Sequence, residues 1–225
     1  MKIYYPERII CLTEETTETL YLLGEQDRII GVSGFTVRPA IARKDKPKIS
    51  TFIDAKIDKI CDLKPDLVIG FSDIQGNIAK ELIEKGIPVW INNYRSVQGI
   101  KKMIFQLGVL VGRKQESLQL IQQINDQIDS IIKKVEKWEN QPKVYFEEWD
   151  DPMISGIKWV SEIIQIAGGI DIFPELQNES LAKNRIIHEP DLVVKRNPEI
   201  IIASWCGKKF KKDIMVERYG WKDID

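Results

Sequence analysis

The stretch LKPDLVIGF, residues 63–71, decides the fold class of this chain. A leucine that can end a helix is followed by a proline, an acid and an apolar run that stops at Phe71. The proline ring clashes with a preceding helical turn, and the uninterrupted Val and Ile run predicts a strand buried on both faces of a parallel sheet. A second stretch, RNPEIIIASW at residues 196–205, repeats this layout and stops at Trp205. The chain therefore enters a parallel strand in the same way in each half.

Apolar runs that predict strands alternate with helical patterns through both halves of the chain. Strands are predicted at residues 8–12, 29–34, 66–71, 88–92, 143–149 and 198–205. A polar, proline-bearing loop is expected after residue 34, and helices are expected between the other strands. Such alternation is typical of an α/β fold with mostly parallel sheets that helices cover.

The middle of the chain, from Ser96 to about Glu139, contains no predicted strand. From Leu118 to Trp138, apolar residues recur at intervals of three and four, which predicts one long amphipathic helix that ends before Pro142. A coiled-coil dimer would use a similar pattern. The apolar seam drifts and lasts only about three heptads, so a helix that packs within one chain is favoured.

We therefore predict an α/β fold of two lobes joined by one long helix, with a ligand cleft between the lobes. Residues 1–95 are expected to form the N-terminal lobe, 96–141 the helical linker and 142–225 the C-terminal lobe. The C-terminal lobe has fewer predicted elements than the first. Since the sequence stops where another strand and helix are expected, we expect this lobe to be truncated.

Charge and hydropathy exclude several classes of partner. The chain has 33 bases and 34 acids among 225 residues, and its net charge of −1 gives no field that would attract nucleic acid or an anionic membrane. No apolar stretch is long enough for direct membrane insertion. The start, MKIYYPERIICL, has no apolar core or cleavage site of a signal peptide, so the sequence as it stands predicts a cytoplasmic protein. If a signal segment precedes it, the protein acts outside the cytoplasm.

Cysteine and histidine usage argues against catalysis and metal binding. Cys11, Cys61 and Cys206 are an odd number without metal-ligand spacing, which favours reduced thiols. His188 is the only histidine and is far in sequence from any cysteine pair, which argues against both a structural zinc site and a Ser-His-Asp triad. We expect no enzyme, no catalytic residues and no metal site.

Acidic and aromatic residues follow the strands predicted in the first lobe. In open α/β sheets, ligands bind beyond the carboxyl ends of strands, so these positions are candidates for ligand contact. The acids after the first strand are explained equally well as favourable charges at a helix N-terminus. The candidate ligand-binding residues of this lobe are Glu14, Glu15, Phe35, Phe71 and Trp90.

The second lobe carries a denser cluster at one strand end. The sequence YFEEWDDP places four acids, Glu147 to Asp151, around Trp149, which folding alone rarely requires. Trp205 ends the second repeated strand, although a buried strand normally exits into polar residues. Aromatic faces give rigid contact area and carboxylates accept hydrogen bonds, so these residues indicate ligand binding rather than catalysis. The candidates here are Glu147, Glu148, Trp149 and Trp205.

The order of these motifs resembles the helical-backbone class of substrate-binding proteins of ABC importers. Members of this class bind cobalamin, haem or iron siderophores between two α/β lobes joined by one long rigid helix. The resemblance runs from about residue 7 to 225 and is closest to the cobalamin-binding branch. It rests on four phrases: RIICLTEETTETLYLLGEQDRIIGVSGFT, KIDKICDLKPDLVIGF, WVSEIIQIAGGIDIF and EPDLVVKRNPEIII.

The resemblance implies a ligand, a partner and a set of contact residues. It implies cobalamin or a related corrinoid as ligand, not as a catalytic cofactor, and an ABC permease as partner. In the cobalamin-binding branch, aromatic residues at strand ends pack on the corrin, which adds Phe173 to the aromatic candidates already named. Permease docking uses an acid on each lobe. The first-lobe position falls on Asn77 with Asp73 as the nearest acid, and Asp213 or Glu217 would serve in the second lobe.

Two other functions remain open from the sequence. The first is a siderophore- or haem-binding protein of the same fold, for which Arg38, Arg43 and the run KKFKK would supply positive charge. The acidic strand ends argue against anionic ligands. The second is a cytoplasmic enzyme or metal-handling protein that uses the cluster Glu147–Asp151 with Cys206. Lysines that follow this cysteine would lower the pKa of its thiol.

Overall fold

A computed structural model describes residues 4–224 of the chain, apart from the side chain of residue 223. The described chain divides into two compact units. The first contains the residues up to Tyr94 together with Gln98–Gln123, and the second contains Arg95–Val97 and the residues from Ile124 onward.

The first unit is built on a five-stranded sheet. Its strands are β1 (Ile9–Cys11), β2 (Ile29–Ser33), β3 (Lys48–Ser50), β4 (Leu67–Phe71) and β5 (Val89–Asn92). Every pair is parallel, in the order β3-β2-β1-β4-β5. Strands β1 and β4 are central and buried, as their runs of Ile and Val predict.

Helices surround this sheet and lead out of it. They are α1 (Glu14–Leu22), α2 (Ala40–Asp45), α3 (Ile57–Asp62), α4 (Gly76–Glu84), α5 (Val97–Leu110) and α6 (Lys114–Val135). The turn between α5 and α6 uses Gly112 at φ +78°, a left-handed conformation that glycine adopts without steric cost. There Arg113 pairs with the buried carboxylate of Glu25. Helix α6 belongs to the first unit up to Gln123 and to the second unit beyond it.

The second unit is built around one long strand. Strand β6 (Lys143–Asp150) pairs antiparallel with β7 (Met153–Ser155) and parallel with β8 (Ile170–Asp171) and β9 (Ile200–Ala203). The helices of this unit are α7 (Lys158–Ile166), α8 (Asp191–Arg196) and α9 (Lys212–Val216). Its main hydrophobic core contains Tyr145, Phe173, Trp205 and Trp221.

The two repeated phrases have the same local structure. Lys64 and Asn197, the residues before the prolines, both adopt left-handed backbone at φ +47° and +44°, which ends α3 and α8. The acid after each proline accepts backbone N–H groups at the start of the neighbouring strand. Asp66 accepts those of Glu7 and Arg8 at 2.8 and 2.9 Å, and Glu199 accepts that of Lys143 at 3.0 Å. The proline and the acid therefore set the entry and register of a parallel strand.

The predicted fold class, α/β with mostly parallel sheets, is confirmed. The prediction of a plain loop after residue 34 is wrong, because α2 and β3 form there. Strands β7 and β8 and helix α9 were not predicted. Within residues 4–224, no helix has the length and apolar character needed to cross a membrane. The domain boundaries at 95 and 141 stay a prediction.

Candidate functional site

Two phenylalanines stack at the carboxyl edge of the first sheet. Phe35 follows β2 and Phe52 follows β3. Their ring centroids are 4.5 Å apart with an interplanar angle of 11°, and the residues are 39% and 43% exposed. Phe52 was missed in the sequence because β3 was not recognised. The short run KIS before it was the feature of the sequence that could have indicated β3.

Gln75 joins three chain segments at this edge. Its side chain is buried, and its Oε1 accepts the backbone N–H of Phe71 at 2.9 Å. Its Nε2 donates to the carbonyl of Phe52 at 3.2 Å and to that of Leu12 at 3.4 Å. These hydrogen bonds hold the end of β4, including the half-buried Phe71, close to Leu12 at the end of β1 and to Phe52 after β3.

The two glutamates after β1 stabilise this edge. Glu14 accepts the backbone N–H of Val37 at 2.9 Å and the guanidinium of Arg38 at 3.3 Å, so it supports the loop that follows Phe35. Glu15 accepts the hydroxyl of Thr13 at 2.6 Å. Burial raises the pKa of Glu15 above its ordinary range, although the Thr13 hydrogen bond lowers it.

The remaining first-unit candidates lie at the far side of the same sheet. Trp90 is half-buried within β5 and pairs with Ile69 of β4. Asp73 is exposed directly after β4 and accepts the hydroxyl of Ser72 at 2.7 Å. Asn77 is exposed in α4.

In the second unit, Glu147 is the centre of a buried polar network. It is fully buried and accepts the hydroxyl of Tyr145 and the indole N–H of Trp205, both at 2.9 Å. The guanidinium of Arg218 binds both of its carboxylate oxygens, at 2.5 and 3.1 Å. Burial, together with the negative charge of Glu147, raises the pKa of Tyr145. The network joins β6 to two distant segments of the chain.

Two further acids of the cluster also have basic partners. Arg185, only 2% exposed, pairs with Glu148 at 2.6 Å and donates to the carbonyl of Ser155 at 3.1 Å. Lys208 pairs with Asp150. Partial burial alone would raise the pKa of Asp150, but the Lys208 ammonium holds it below its ordinary range. Arg185 and Arg218 were missed, and the pairing of Lys208 with Asp150 was not foreseen, because each base is distant in sequence from its acid.

The aromatic candidates of this unit differ in exposure. Phe173 and Trp205 are 2% and 5% exposed and lie in the hydrophobic core, where Phe173 packs edge-on against Tyr145 with centroids 5.8 Å apart. Trp149 is half-buried, and its indole N–H donates to the carbonyl of Asp151 at 2.8 Å. Trp149 is therefore the ring of the three that offers surface to a ligand.

A concave surface of about 630 Å³ lies beside this network. Its walls come from the turn between β6 and β7, from the segment before α8 and from the segment after α9. They include Asp151, Pro152, Met153, Ile187, His188, Arg218 and Trp221. The docking candidates Asp213 and Glu217 are exposed in α9 and directly after it.

The exposed thiol of Cys206 is not activated. Partial burial, together with the nearby charge of Glu148, raises its pKa, so the expectation of a lowered pKa is wrong. Across the described part of the chain, no three His, Cys, Asp or Glu side chains are grouped closely enough to hold a metal ion. Glu147, Glu148 and Asp150 are paired with bases and the pKa of the Cys206 thiol is raised, which argues against the enzyme hypothesis.

Comparisons with known proteins point to one family. A family model described as "Periplasmic binding protein" matches residues 9–225. The sequence is 31% identical over 205 residues to a vitamin B12-binding protein of Vibrio campbellii, and the match covers 88% of this chain and 70% of that protein.

Solved structures share the fold with more distant sequences. A periplasmic vitamin B12-binding protein of Vibrio cholerae superimposes with a TM-score of 0.77 at 19% identity, over 98% of this chain and 82% of that one. A periplasmic haem-binding protein of Pseudomonas aeruginosa gives a TM-score of 0.82 at 15% identity, over 97% and 80% of the two chains. One fold therefore accommodates both kinds of macrocycle.

Proposed function

This chain belongs to the periplasmic binding protein family, and on that premise we propose that its ligand is cobalamin or a related corrinoid. The family match confirms the resemblance seen in the sequence and the prediction that the chain is not an enzyme. The chain is a substrate-binding protein, and the proposal concerns what it binds.

The stacked pair Phe35–Phe52 carries this proposal. Two parallel rings that are each about two-fifths exposed form a flat apolar surface at the edge of the sheet where α/β proteins bind ligands. Aromatic faces give large contact area at low conformational cost, which suits a broad, flat macrocycle. Phe71 and Trp90 along the same edge, and Trp149 in the second unit, are proposed as further contacts. The buried Phe173, Trp205 and Glu147 support these surfaces from within the core.

Haem is the second candidate because a haem-binding protein shares the fold. Haem carries two carboxylates, which need basic partners at the binding surface. The cation nearest to the phenylalanine pair in sequence is Arg38, which already contacts Glu14 at 3.3 Å and Glu18 at 3.8 Å. A corrinoid bears mostly uncharged amides, which carboxylates such as Glu14 accept from directly. The charges of this edge therefore favour the corrinoid over haem and over anionic siderophores.

Titration with cyanocobalamin and with haemin, followed by calorimetry and by visible absorbance, tests the proposal. Phe52→Ala is expected to weaken cobalamin binding about tenfold, since burying part of a phenyl ring contributes roughly 1–2 kcal/mol. Ile83→Ala is the matched control, because Ile83 is 62% exposed on α4 in the same unit and lies outside the proposed contacts. Binding of haemin alone would favour the second candidate, and binding of neither would refute both.

The partner and the location are further proposals, which the family supports. We propose that the chain delivers its ligand to an ABC permease on the outer side of the cytoplasmic membrane, where periplasmic binding proteins act. The exposed acids Asp73, Asp213 and Glu217 would then contact basic residues of the permease. Reversing the charge of Asp213 with Asp213→Lys should lower ligand uptake by cells without lowering ligand affinity. Unchanged uptake in a variant with all three charges reversed would remove these residues from the proposed interface.

A further inference from the structure

Lys208 lies in a cage made of two indole rings and a carboxylate. Its ammonium nitrogen is 4.2 Å from the ring centroid of Trp149 and 5.0 Å from that of Trp205. The same nitrogen forms the ion pair with Asp150. A cation is attracted to the negative face of an aromatic ring, and two rings with an anion bind it from three sides.

The segment that carries Lys208 is attached at both ends. It follows Gly207, which adopts a left-handed backbone conformation at φ +74°. The backbone N–H of Cys206 donates to the carbonyl of Glu148 at 3.3 Å. Phe210 packs edge-on against Trp205, with centroids 5.1 Å apart. The Lys208 side chain itself remains 38% exposed, so it can leave the cage without any change in the core.

The orientation of Trp149 does not depend on Lys208. The Trp149 indole N–H donates to the carbonyl of Asp151, which fixes the ring independently of the cation above it. Removing the ammonium therefore uncovers one face of a ring that is already in place. A ring face that holds an ammonium at 4.2 Å has no room for a flat ligand, so the two exclude each other.

We propose that the Lys208 ammonium competes with the ligand for one face of the Trp149 ring. This inference rests on the proposed function, in which Trp149 contacts a flat macrocycle. In the free protein the ammonium covers one face of the ring. The ligand displaces it, and the flexible side chain swings into solvent while remaining close to Asp150. Lys208 thus lowers the affinity of the protein for every ligand that stacks on Trp149. Ligands that make further contacts with the protein can still displace the ammonium, so these ligands are selected.

The test uses a pair of substitutions that removes the cation without leaving a lone buried charge. Lys208→Met alone would leave the 6%-exposed carboxylate of Asp150 without its partner, so it is combined with Asp150→Asn. Lys209→Met is the matched control, because the neighbouring lysine is exposed and shows no ion pair or ring contact within the described residues. Asp150→Asn alone separates the effect of the carboxylate from that of the cation. Each protein is titrated with cyanocobalamin and with haemin.

The double variant is expected to bind the ligand about two- to fivefold more tightly than the wild type. That factor corresponds to the loss of a cation–π contact of about 0.5–1 kcal/mol. Lys209→Met should leave the affinity unchanged. Equal or weaker binding by the double variant would overturn the competition and leave the proposed function intact. Binding of neither probe by any variant would refute the proposed function, and the competition with it.

Discussion

Replacing Arg218 by Met should be among the most destabilising single changes in the second unit. Glu147 is fully buried, and Arg218 supplies the only positive charge that contacts it among the described residues, through two hydrogen bonds at 2.5 and 3.1 Å. Two unit charges about 4 Å apart attract each other by roughly 4 kcal/mol at an effective dielectric constant of about 20. Tyr145 and Trp205 would still donate to the carboxylate. We therefore expect a loss of about 3 kcal/mol, within the range for breaking a buried ion pair.

The measurement is urea unfolding followed by tryptophan fluorescence. Five of the six tryptophans lie in the second unit, so the signal reports that unit. Adding Glu147→Gln to Arg218→Met should recover most of the stability, because the amide oxygen can still accept from Trp205 and the amide N–H can donate to the Tyr145 hydroxyl, while no charge remains buried.

Two results would refute this reasoning. One is an Arg218→Met protein whose free energy of unfolding lies within about 1 kcal/mol of the wild type, which would mean that water reaches Glu147. The other is a double variant as unstable as the single one, which would mean that Arg218 acts through packing and not through its charge. Arg113→Met is the control for the loss of a paired arginine elsewhere, because Arg113 is 45% exposed and pairs in the first unit.

Three further predictions concern other parts of the chain. Burial raises the pKa of Glu15 above 4.5, so protonation of this carboxyl stabilises the folded protein at low pH and that stabilisation is lost as the pH rises. The free energy of unfolding of Glu15→Gln, measured with urea, should therefore increase relative to that of the wild type from pH 4 to pH 7. Under native conditions a thiol reagent should label the exposed Cys206 and leave Cys11 unlabelled, since burial raises the pKa of the Cys11 thiol to about 12; mass spectrometry reads the difference. Gly168→Ala should cost about 2 kcal/mol or more, because φ is +82° and the new methyl would lie 2.7 Å from Val135.

Each of these predictions has a result that contradicts it. A stability difference between Glu15→Gln and the wild type that does not change with pH would show that the Glu15 carboxyl is solvated. Labelling of Cys11 as fast as Cys206 would mean that β1 opens readily. A Gly168→Ala protein as stable as the wild type would show that the end of α6 can move away from this turn. Gly86→Ala is its control, since φ there is +76° but no atom lies within 4 Å of the added methyl.

Continuous apolar runs and helical periodicity predicted the elements that carry them, and the strands that were missed lack such runs. The runs around β1, β4 and β6 contain enough Val and Ile to be recognised as strands, and the three-and-four spacing located α6 within a few residues. Strands β3 and β7 have three residues each and β8 has two, so no alternation can develop in them. Their pairing depends on neighbours that are not adjacent in sequence.

The candidate site was harder to predict because charge pairing is a tertiary property. The phrase EEWDD drew attention as a functional cluster, yet the partners of its glutamates lie 37 and 71 residues downstream. No pattern near Glu147 indicates that Arg218 will neutralise it. The exposure of a side chain is equally hard to predict from the sequence. Trp149 and Trp205 both end predicted strands, but only Trp149 keeps a partly exposed ring.

The distance in sequence between Glu147 and Arg218 has a consequence for how the protein is made. At about 5–20 residues per second, a ribosome adds the guanidinium roughly 4–14 s after the carboxylate it will neutralise. All strands of the first sheet have been synthesised before Glu147 is added, so the first unit can fold while the second is still being synthesised. During that interval the core around the nascent carboxylate also lacks Trp205, Met215 and then Trp221, so it stays incomplete and the carboxylate stays hydrated. A chain released before residue 218 would therefore be a ready substrate for proteases.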